Sequence, residues 1–366
     1  MTDSLNVLYN GLLVGVLKHE KGKCFFSYDP NWIERGFSIS PRSLPLRNGV
    51  FQSEGIYFEG LFGVFADSLP GGWGIKLSLM ALSKKGIDYG DSSPLEKLRY
   101  VREDGLGGLS FEPNHLGKSE EKQEDYMKIA SAVKQLLNDE ESVDLDCLYR
   151  YGGSSGGAKP KAHLRIEGEE WIVKFPRKED PNDIGVMEFD YNLAAKECGL
   201  RISDFRLLPS KENKGYFASK RFDRKGNKRI HVLSLSGFLD VPHTLANLDY
   251  VTLLQSVNYL TSSKEELLEG YRRACFNVLA KNKDDHGKNF SFIFDEDRRG
   301  YILSPAFDLT YTPFIKEHEM TCMGNGNPDI EDLFALAKKM GIKEEAESII
   351  SSIQEVVTRR LSKYWK

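Results

Sequence analysis

Asp284 stands five positions before Asn289, and after a strand, a turn and a second strand the chain reaches Ala306-Phe307-Asp308. A hairpin leaves and returns, so the spacing predicts that Asp308 comes back to the loop bearing Asp284 and Asn289. Three oxygen-bearing side chains then meet at one point. Phosphoryl transfer needs that set: a carboxylate to orient a hydroxyl nucleophile, and oxygen ligands to hold Mg²⁺ against phosphates. The five-residue offset selects Asp284 over Asp285 as the base, with Asn289 and Asp308 as metal ligands. Each piece alone has a plainer reading, a polar turn for Asp-Asp-His and a cap for Asp308, and it is the joint order that favours chemistry. His286 has no second His or Cys at ligand spacing, which makes it a loop-shaping residue.

Kinases place a catalytic Asp, an Asn and a metal-binding Asp in this order. A second constellation agrees. In Trp171-Ile172-Val173-Lys174-Phe175, alternation sets Trp171, Val173 and Phe175 on one face, and Lys174 beside Ile172 on the other. Lysine sharing a face with an Ile expected to be buried makes sense if Ile172 meets an adenine ring and Lys174 reaches phosphates. Glu188 borders the apolar face of a helix over Ile184–Cys198 and could pair with Lys174. The alternative is an exposed edge lysine and a solvated glutamate. Upstream lies Gly152-Gly153-Ser154-Ser155-Gly156-Gly157-Ala158-Lys159-Pro160-Lys161, whose amides can converge on phosphate oxygens. It matches neither the Walker A nor the GxGxxG pattern, and such clusters are often linkers. Its place directly before the Lys174 hairpin favours a phosphate cover.

The chain has 366 residues, enough for about two domains. Lys and Arg number 50 against 54 Asp and Glu, a net charge of −4, which excludes a global positive field for nucleic acid. Aromatic residues are scattered rather than interleaved with basic ones, so no stacking platform is expected. The five cysteines, Cys24, Cys147, Cys198, Cys275 and Cys322, form no CxxC pair and read as buried free thiols. No long uninterrupted apolar stretch or leader pattern occurs, so a cytoplasmic protein without membrane contact is expected. The dipeptide Asn10-Gly11 predicts a hairpin between Leu5–Tyr9 and Leu12–Leu17. A helical run is expected over Ile75–Leu82 and another helix near Pro94. A charged stretch over 116–127 marks a module boundary. Beyond it the pattern predicts a helix over Tyr126–Leu137, a hairpin around Glu167-Gly168, strands near Phe205 and Phe217, helices over Glu265–Leu279, Ile330–Lys339 and Glu344–Leu361, and strands over Phe290–Phe294 and Tyr301–Leu303.

Taken together these residues resemble the HipA family, the serine/threonine kinase toxins of bacterial toxin–antitoxin modules, over nearly the whole chain. Val7-Leu8-Tyr9-Asn10-Gly11, Leu44-Pro45-Leu46, Leu69-Pro70 with Trp73-Gly74, and Gly105 to Phe111 look like the leading subdomain. SSGGAKPK looks like the phosphate loop, Lys174 like the nucleotide lysine, and Lys220-Arg221-Phe222-Asp223-Arg224 like the hinge that holds adenine through backbone groups. The resemblance implies an α+β, kinase-like two-lobed fold: a β-rich N-terminal subdomain (1–115), a small lobe (126–230) and a mainly helical C-terminal lobe (231–366). It implies ATP and Mg²⁺ as cofactors, with Ser155, Gly156, Gly157, Ala158, Lys159, Lys161, Lys174, Lys220, Arg221, Phe222, His286, Lys288, Asn289 and Asp308 around the nucleotide. Ser154 takes the place of the family's autophosphorylated serine, with adjacent Ser155 as the rival position. Implied partners are a translation-related protein substrate such as an aminoacyl-tRNA synthetase, and a HipB-like DNA-binding antitoxin through which DNA is met only indirectly. Two other functions remain compatible with the residues: a small-molecule kinase of the same fold, and a non-catalytic nucleotide-binding subunit of a repressor complex.

Overall fold

A computed structural model describes residues 3–116, 125–140, 142–244 and 248–365. It divides into two compact units. The first comprises Met1–Gly185, Arg206–Leu233 and Gly237–Asp240, and the second Val186–Phe205, Ser234–Ser236 and Val241–Lys366. The charged boundary stretch falls mostly on 117–124, outside the described residues.

The first unit begins with the expected hairpin. Strands Asp3–Tyr9 and Leu12–Glu20 join through Asn10 and Gly11, both at positive φ. A two-residue primed turn requires that geometry. These strands belong to a five-stranded sheet in the order Phe51–Gln52, Lys23–Tyr28, Leu12–Glu20, Asp3–Tyr9, Leu109–Glu112. Leu5, Val7, Val14, Leu17, Phe26 and Phe111 are buried. Phe65 packs onto this face, its ring centroid 5.4 Å from Phe26 and 6.3 Å from Phe111. Burying each such ring contributes roughly 1.5–3 kcal/mol.

A second sheet of the same unit carries the candidate nucleotide residues in the order Lys161–Ile166, Glu169–Lys174, Tyr216–Lys220, Phe205–Leu208. Trp171, Val173 and Phe175 are buried as the alternation predicts. Ile172 is only half-buried, a correction to the expected buried Ile, because its face of the sheet is not closed over by the apolar core that covers Trp171 and Val173. Helices that the sequence reading missed include Leu145–Gly152, too short for a clear period, and Tyr250–Thr261. The first absorbs Gly152 from the glycine cluster.

The second unit is mainly helical, with Tyr250–Thr261, Lys264–Leu279, Ile330–Lys339 and Lys343–Leu361. Side-chain caps start three of them: Asp249 accepts from the Val251 amide, Ser263 from Glu266, and Asp329 with Asp332 closes a capping box. The hairpin Ser291–Asp295/Gly300–Leu303 lies where strands were expected. The two units and both sheet-and-helix patterns make this an α+β fold. All five cysteines are free and buried. No helix among the described residues is long and apolar enough to cross a membrane.

The turn Glu167-Gly168 offers a stability test. Glu167 sits in the left-handed region, at positive φ. That conformation penalises most L-residues by roughly 1–2 kcal/mol, and Asn tolerates it better. Glu167 also forms an ion pair with Arg206 (2.7 Å). Both groups are exposed, so the pair is worth at most about 1 kcal/mol. Glu167→Asn should therefore raise the melting temperature by about 1–2 °C, read by calorimetry.

Candidate active site

The loop Asn282 to Asn289 leaves the C-terminus of helix Lys264–Leu279 in the second unit. Its two adjacent aspartates take opposite environments. Asp285 is buried, and its carboxylate accepts from the Tyr250 hydroxyl (2.5 Å), His318 Nδ1 (2.6 Å) and the Met320 amide (3.1 Å). Asp284 is half exposed, with His286 Nε2 3.6 Å from its carboxylate. A carboxylate already holding three donors cannot take a substrate proton without losing them, whereas Asp284 is open. Asn289 Nδ2 donates to the Asp284 carbonyl (2.6 Å), which binds the two ends of the loop together and leaves the Asn289 amide oxygen for another role. His286 shapes the loop: its Nδ1 accepts from the Lys288 amide (3.2 Å), its carbonyl from the Asn289 amide (2.9 Å), and its ring lies against His243 (4.6 Å between centroids).

Asp308 follows the hairpin and takes a left-handed conformation, at positive φ. Asp accepts that conformation more readily than most residues, and such positions cluster at functional sites. A buried charge network fixes the chain leading to it. Arg201 grips Glu266 through two nitrogens (2.7 and 3.1 Å) and donates to the Leu303 carbonyl (2.7 Å), while Glu266 accepts from the Leu303 amide (2.8 Å). Arg273 holds Glu269 (2.8 Å) and the Ser304 carbonyl (2.5 Å), and the Ala306 amide donates to the Arg201 carbonyl (2.7 Å). Sequence reading missed Arg201, Glu266, Glu269 and Arg273. Glu269 and Arg273 do carry a signal, being an acid and a base four apart on one helix.

In the first unit the glycine cluster is held from below and open above. Ser155 Oγ donates to the Gly152 carbonyl (2.6 Å), the Gly71 amide to the Ser155 carbonyl (2.9 Å) and the Trp73 amide to the Gly157 carbonyl (2.9 Å). A Cβ on Gly71 would meet the Gly157 nitrogen at 2.2 Å, so glycine is obligatory there. Gly156, Gly157 and Ala158 are exposed, Lys159 is intermediate, and Ser154, Ser155 and Lys161 are buried. Lys161 and Lys174 stand directly opposite each other across adjacent strands. The Lys174 ammonium also lies 5.7 Å from the Phe217 ring centre. Glu188, in the second unit, is buried, and its carbonyl accepts from Asn192 Nδ2 (2.8 Å).

Arg221 to Arg224 follow the strand Tyr216–Lys220. The Arg221 amide donates to the Glu170 carbonyl (2.8 Å), extending the sheet by one bond. Its buried guanidinium binds Asp223 (2.8 and 2.9 Å), the Asp104 and Gly105 carbonyls and His163 Nδ1 (3.2 Å). Arg224 adds bonds to Asp223 (2.9 Å) and Gly105 (2.7 Å), and the Gly107 amide donates to Asp223 (2.7 Å). The Arg221 and Arg224 side chains therefore fasten the turn 104–107. Burial, with Arg221 beside it, holds the His163 imidazole below its ordinary value. The phenyl-bearing Phe222 and Lys220, with its ammonium 3.1 Å from Glu169, complete the segment. Among the described residues no three His, Cys, Asp or Glu side chains gather into a metal cage. Mg²⁺ bound with phosphates needs only one or two protein oxygens, so Asn289 and Asp308 suit it as hard donors.

The second unit thus holds an open carboxylate on a pinned loop with an Asn five positions on, and the first holds a glycine loop before two opposed lysines. Residues 153–361 match the HipA-like C-terminal domain and residues 5–112 the HipA N-terminal domain. The chain belongs to the HipA family. It is 23% identical over 405 aligned positions to the serine/threonine-protein kinase toxin HipA of Shewanella oneidensis, covering 98% of this chain and 88% of that one. Over 211 positions it is 26% identical to Y4dM of Sinorhizobium fredii, named as a candidate kinase, covering 52% of this chain and about half (51%) of that protein. The solved complex of Shewanella oneidensis HipA, HipB and operator DNA contains a chain of the same fold, with TM-score 0.76, 18% identity, and coverage of 98% of this chain and 90% of that one.

The buried carboxylates give a pH prediction. Burial opposes ionisation of Asp223, yet Arg221 and Arg224 hold it well below the carboxylate range; burial likewise opposes Glu269, and Arg273 more than compensates. Both folded values are depressed, so the stability they contribute is full above the ordinary carboxylate pKa and lost as pH falls through the depressed one. Urea midpoints should fall steadily from about pH 5 towards about pH 2, and Asp223→Asn should flatten that slope.

Proposed function

We propose that this chain is a cytoplasmic ATP- and Mg²⁺-dependent serine/threonine protein kinase that acts as a toxin. The observation that carries the proposal is the split between Asp284, open on a pinned loop, and Asp285, buried and saturated with donors. Asp284 orients the acceptor hydroxyl and takes its proton; the acceptor oxygen bonds to the γ-phosphorus as the bond to the β–γ bridging oxygen breaks, releasing ADP. Bound Mg²⁺ supplies neutralisation of the phosphate oxygens, with Asn289 and Asp308 as its protein ligands. Lys161 and Lys174 meet the phosphates, and the amides of Gly156, Gly157 and Ala158 with Lys159 cover them. The backbone of Lys220 to Phe222 takes the adenine, and His286 and Lys288 line the catalytic loop. The three-part division at 1–115, 126–230 and 231–366 belongs to this reading.

The solved relative assembled with HipB and operator DNA supports a HipB-like antitoxin in trans, with DNA reached only through it. The substrate is a translation-related protein such as an aminoacyl-tRNA synthetase. Ser154 is the self-phosphorylation position on the strength of the family resemblance; both serine hydroxyls are engaged in the structure, Ser155 with the Gly152 carbonyl and Ser154 with the Asp104 carboxylate. Both serines are buried, so modification requires the loop to leave its place.

Asp284→Asn should abolish transfer of labelled phosphate from ATP while nucleotide binding, read by calorimetry, stays within about twofold, because the effect falls on the transition state. Retained transfer would sink the assignment of the base. Lys174→Met should instead weaken nucleotide binding, by about tenfold or more if one charge-assisted contact of roughly 1.5–3 kcal/mol is lost. After incubation with ATP, mass spectrometry should find phosphate on Ser154. Ser154→Ala should remove it and Ser155→Ala should not; label on Ser155 alone reverses the choice.

A further inference from the structure

The buried Asp285 lies beside the proposed base and plays no part in the chemistry described so far. Its partners come from a single distant segment as well as from a helix. His318 Nδ1 and the Met320 amide, both beyond Asp308, donate to its two carboxylate oxygens, and Tyr250 donates from the helix Tyr250–Thr261. The same segment grips the residue on the other side of Asp284. The Lys283 amide donates to Thr312 Oγ1 (2.7 Å), the Lys283 ammonium to the Lys316 carbonyl (2.6 Å), and the Glu319 amide to the Lys283 carbonyl (3.0 Å). With Asn289 on the Asp284 carbonyl, the backbone around the base is bound from both flanks while its carboxylate stays open.

His318 is itself fixed, buried, with its amide donating to the Gly326 carbonyl (2.8 Å). A rigid donor reaching a rigid acceptor sets a distance rather than merely filling a space.

We propose that Asp285 and His318 are positioning residues that set the placement of Asp284 by locking the catalytic loop to the segment from Thr312 to Met320. The inference rests on the kinase reading. Displacing a catalytic group by about 1 Å can lower a rate by about 100-fold without weakening substrate binding. The lock therefore acts on turnover and not on nucleotide affinity.

The test uses the full chain, with ATP as donor and the chain itself as acceptor, and reads the initial rate of label incorporation at saturating ATP together with the half-saturating ATP concentration. His318→Ala should lower the rate by about 30- to 100-fold and leave half-saturation within about twofold. His318→Asn, which restores a side-chain N–H donor near Nδ1, should recover the rate to within about fivefold of the unaltered chain. Tyr271→Phe serves as a control. It removes a buried hydroxyl that donates to the Leu333 carbonyl (3.0 Å), and it should lower the melting temperature without lowering the rate. If His318→Ala does not unfold cooperatively, Asp285→Asn is read in its place, with the same expected loss. A rate for His318→Ala within about threefold of the unaltered chain, or no recovery in His318→Asn, overturns the inference while the kinase reading stands. Absence of any transfer by the unaltered chain overturns both.

Discussion

A charge taken out of water must meet its partners inside the protein, and three such sites govern how this chain is built. Asp223 gathers Arg221, Arg224 and the Gly107 amide. Glu266 and Glu269 gather Arg201 and Arg273. Asp285 gathers Tyr250, His318 and the Met320 amide. Each carboxylate fastens an irregular stretch of backbone that no helix or strand ladder would hold. The turn 104–107, the chain from Leu303 to Ala306 and the loop Asn282 to Asn289 are ordered in this way. Removing one partner leaves the other charged and buried, at roughly 3–5 kcal/mol, so these segments have a defined place despite lacking regular structure.

The glycine loop follows a different logic. Gly152 to Gly157 carry no charge, and the lower side of the loop is held by backbone bonds to Gly71 and Trp73 and by the absence of a Cβ at Gly71. Its upper side, Gly156 to Ala158, remains exposed. Lys161 and Lys174 oppose each other across the neighbouring strands. The first unit thus combines a fixed loop base with a local positive pair in a chain of net charge −4.

Much of this is legible in the order of residues alone. Asn10-Gly11 locates a hairpin because both positions take positive φ, and the alternation in Trp171–Phe175 orients Lys174 because side chains in a strand have period two. The offset to Asn289 singles out Asp284 over Asp285 by position alone; in the structure Asp284 is half exposed and Asp285 is buried against His318. The half-burial of Ile172, the helix Leu145–Gly152 and the use of Gly71 beneath the phosphate loop are not legible. Each depends on what another part of the chain places nearby, and one-dimensional periodicity does not record it.

The sequence by itself determined the local elements, the order of the chemistry-bearing residues and the family to which they belong, since period, turn chemistry and spacing are properties of short stretches. Only the tertiary structure decided which polar side chains work as fasteners. Arg221 and Asp223 bind the turn 104–107, and His318, inconspicuous in sequence, closes on Asp285 from 33 positions away. The reason is physical. Whether a charged or polar group faces water or a partner depends on desolvation and donor geometry, and both are fixed by residues distant in the chain.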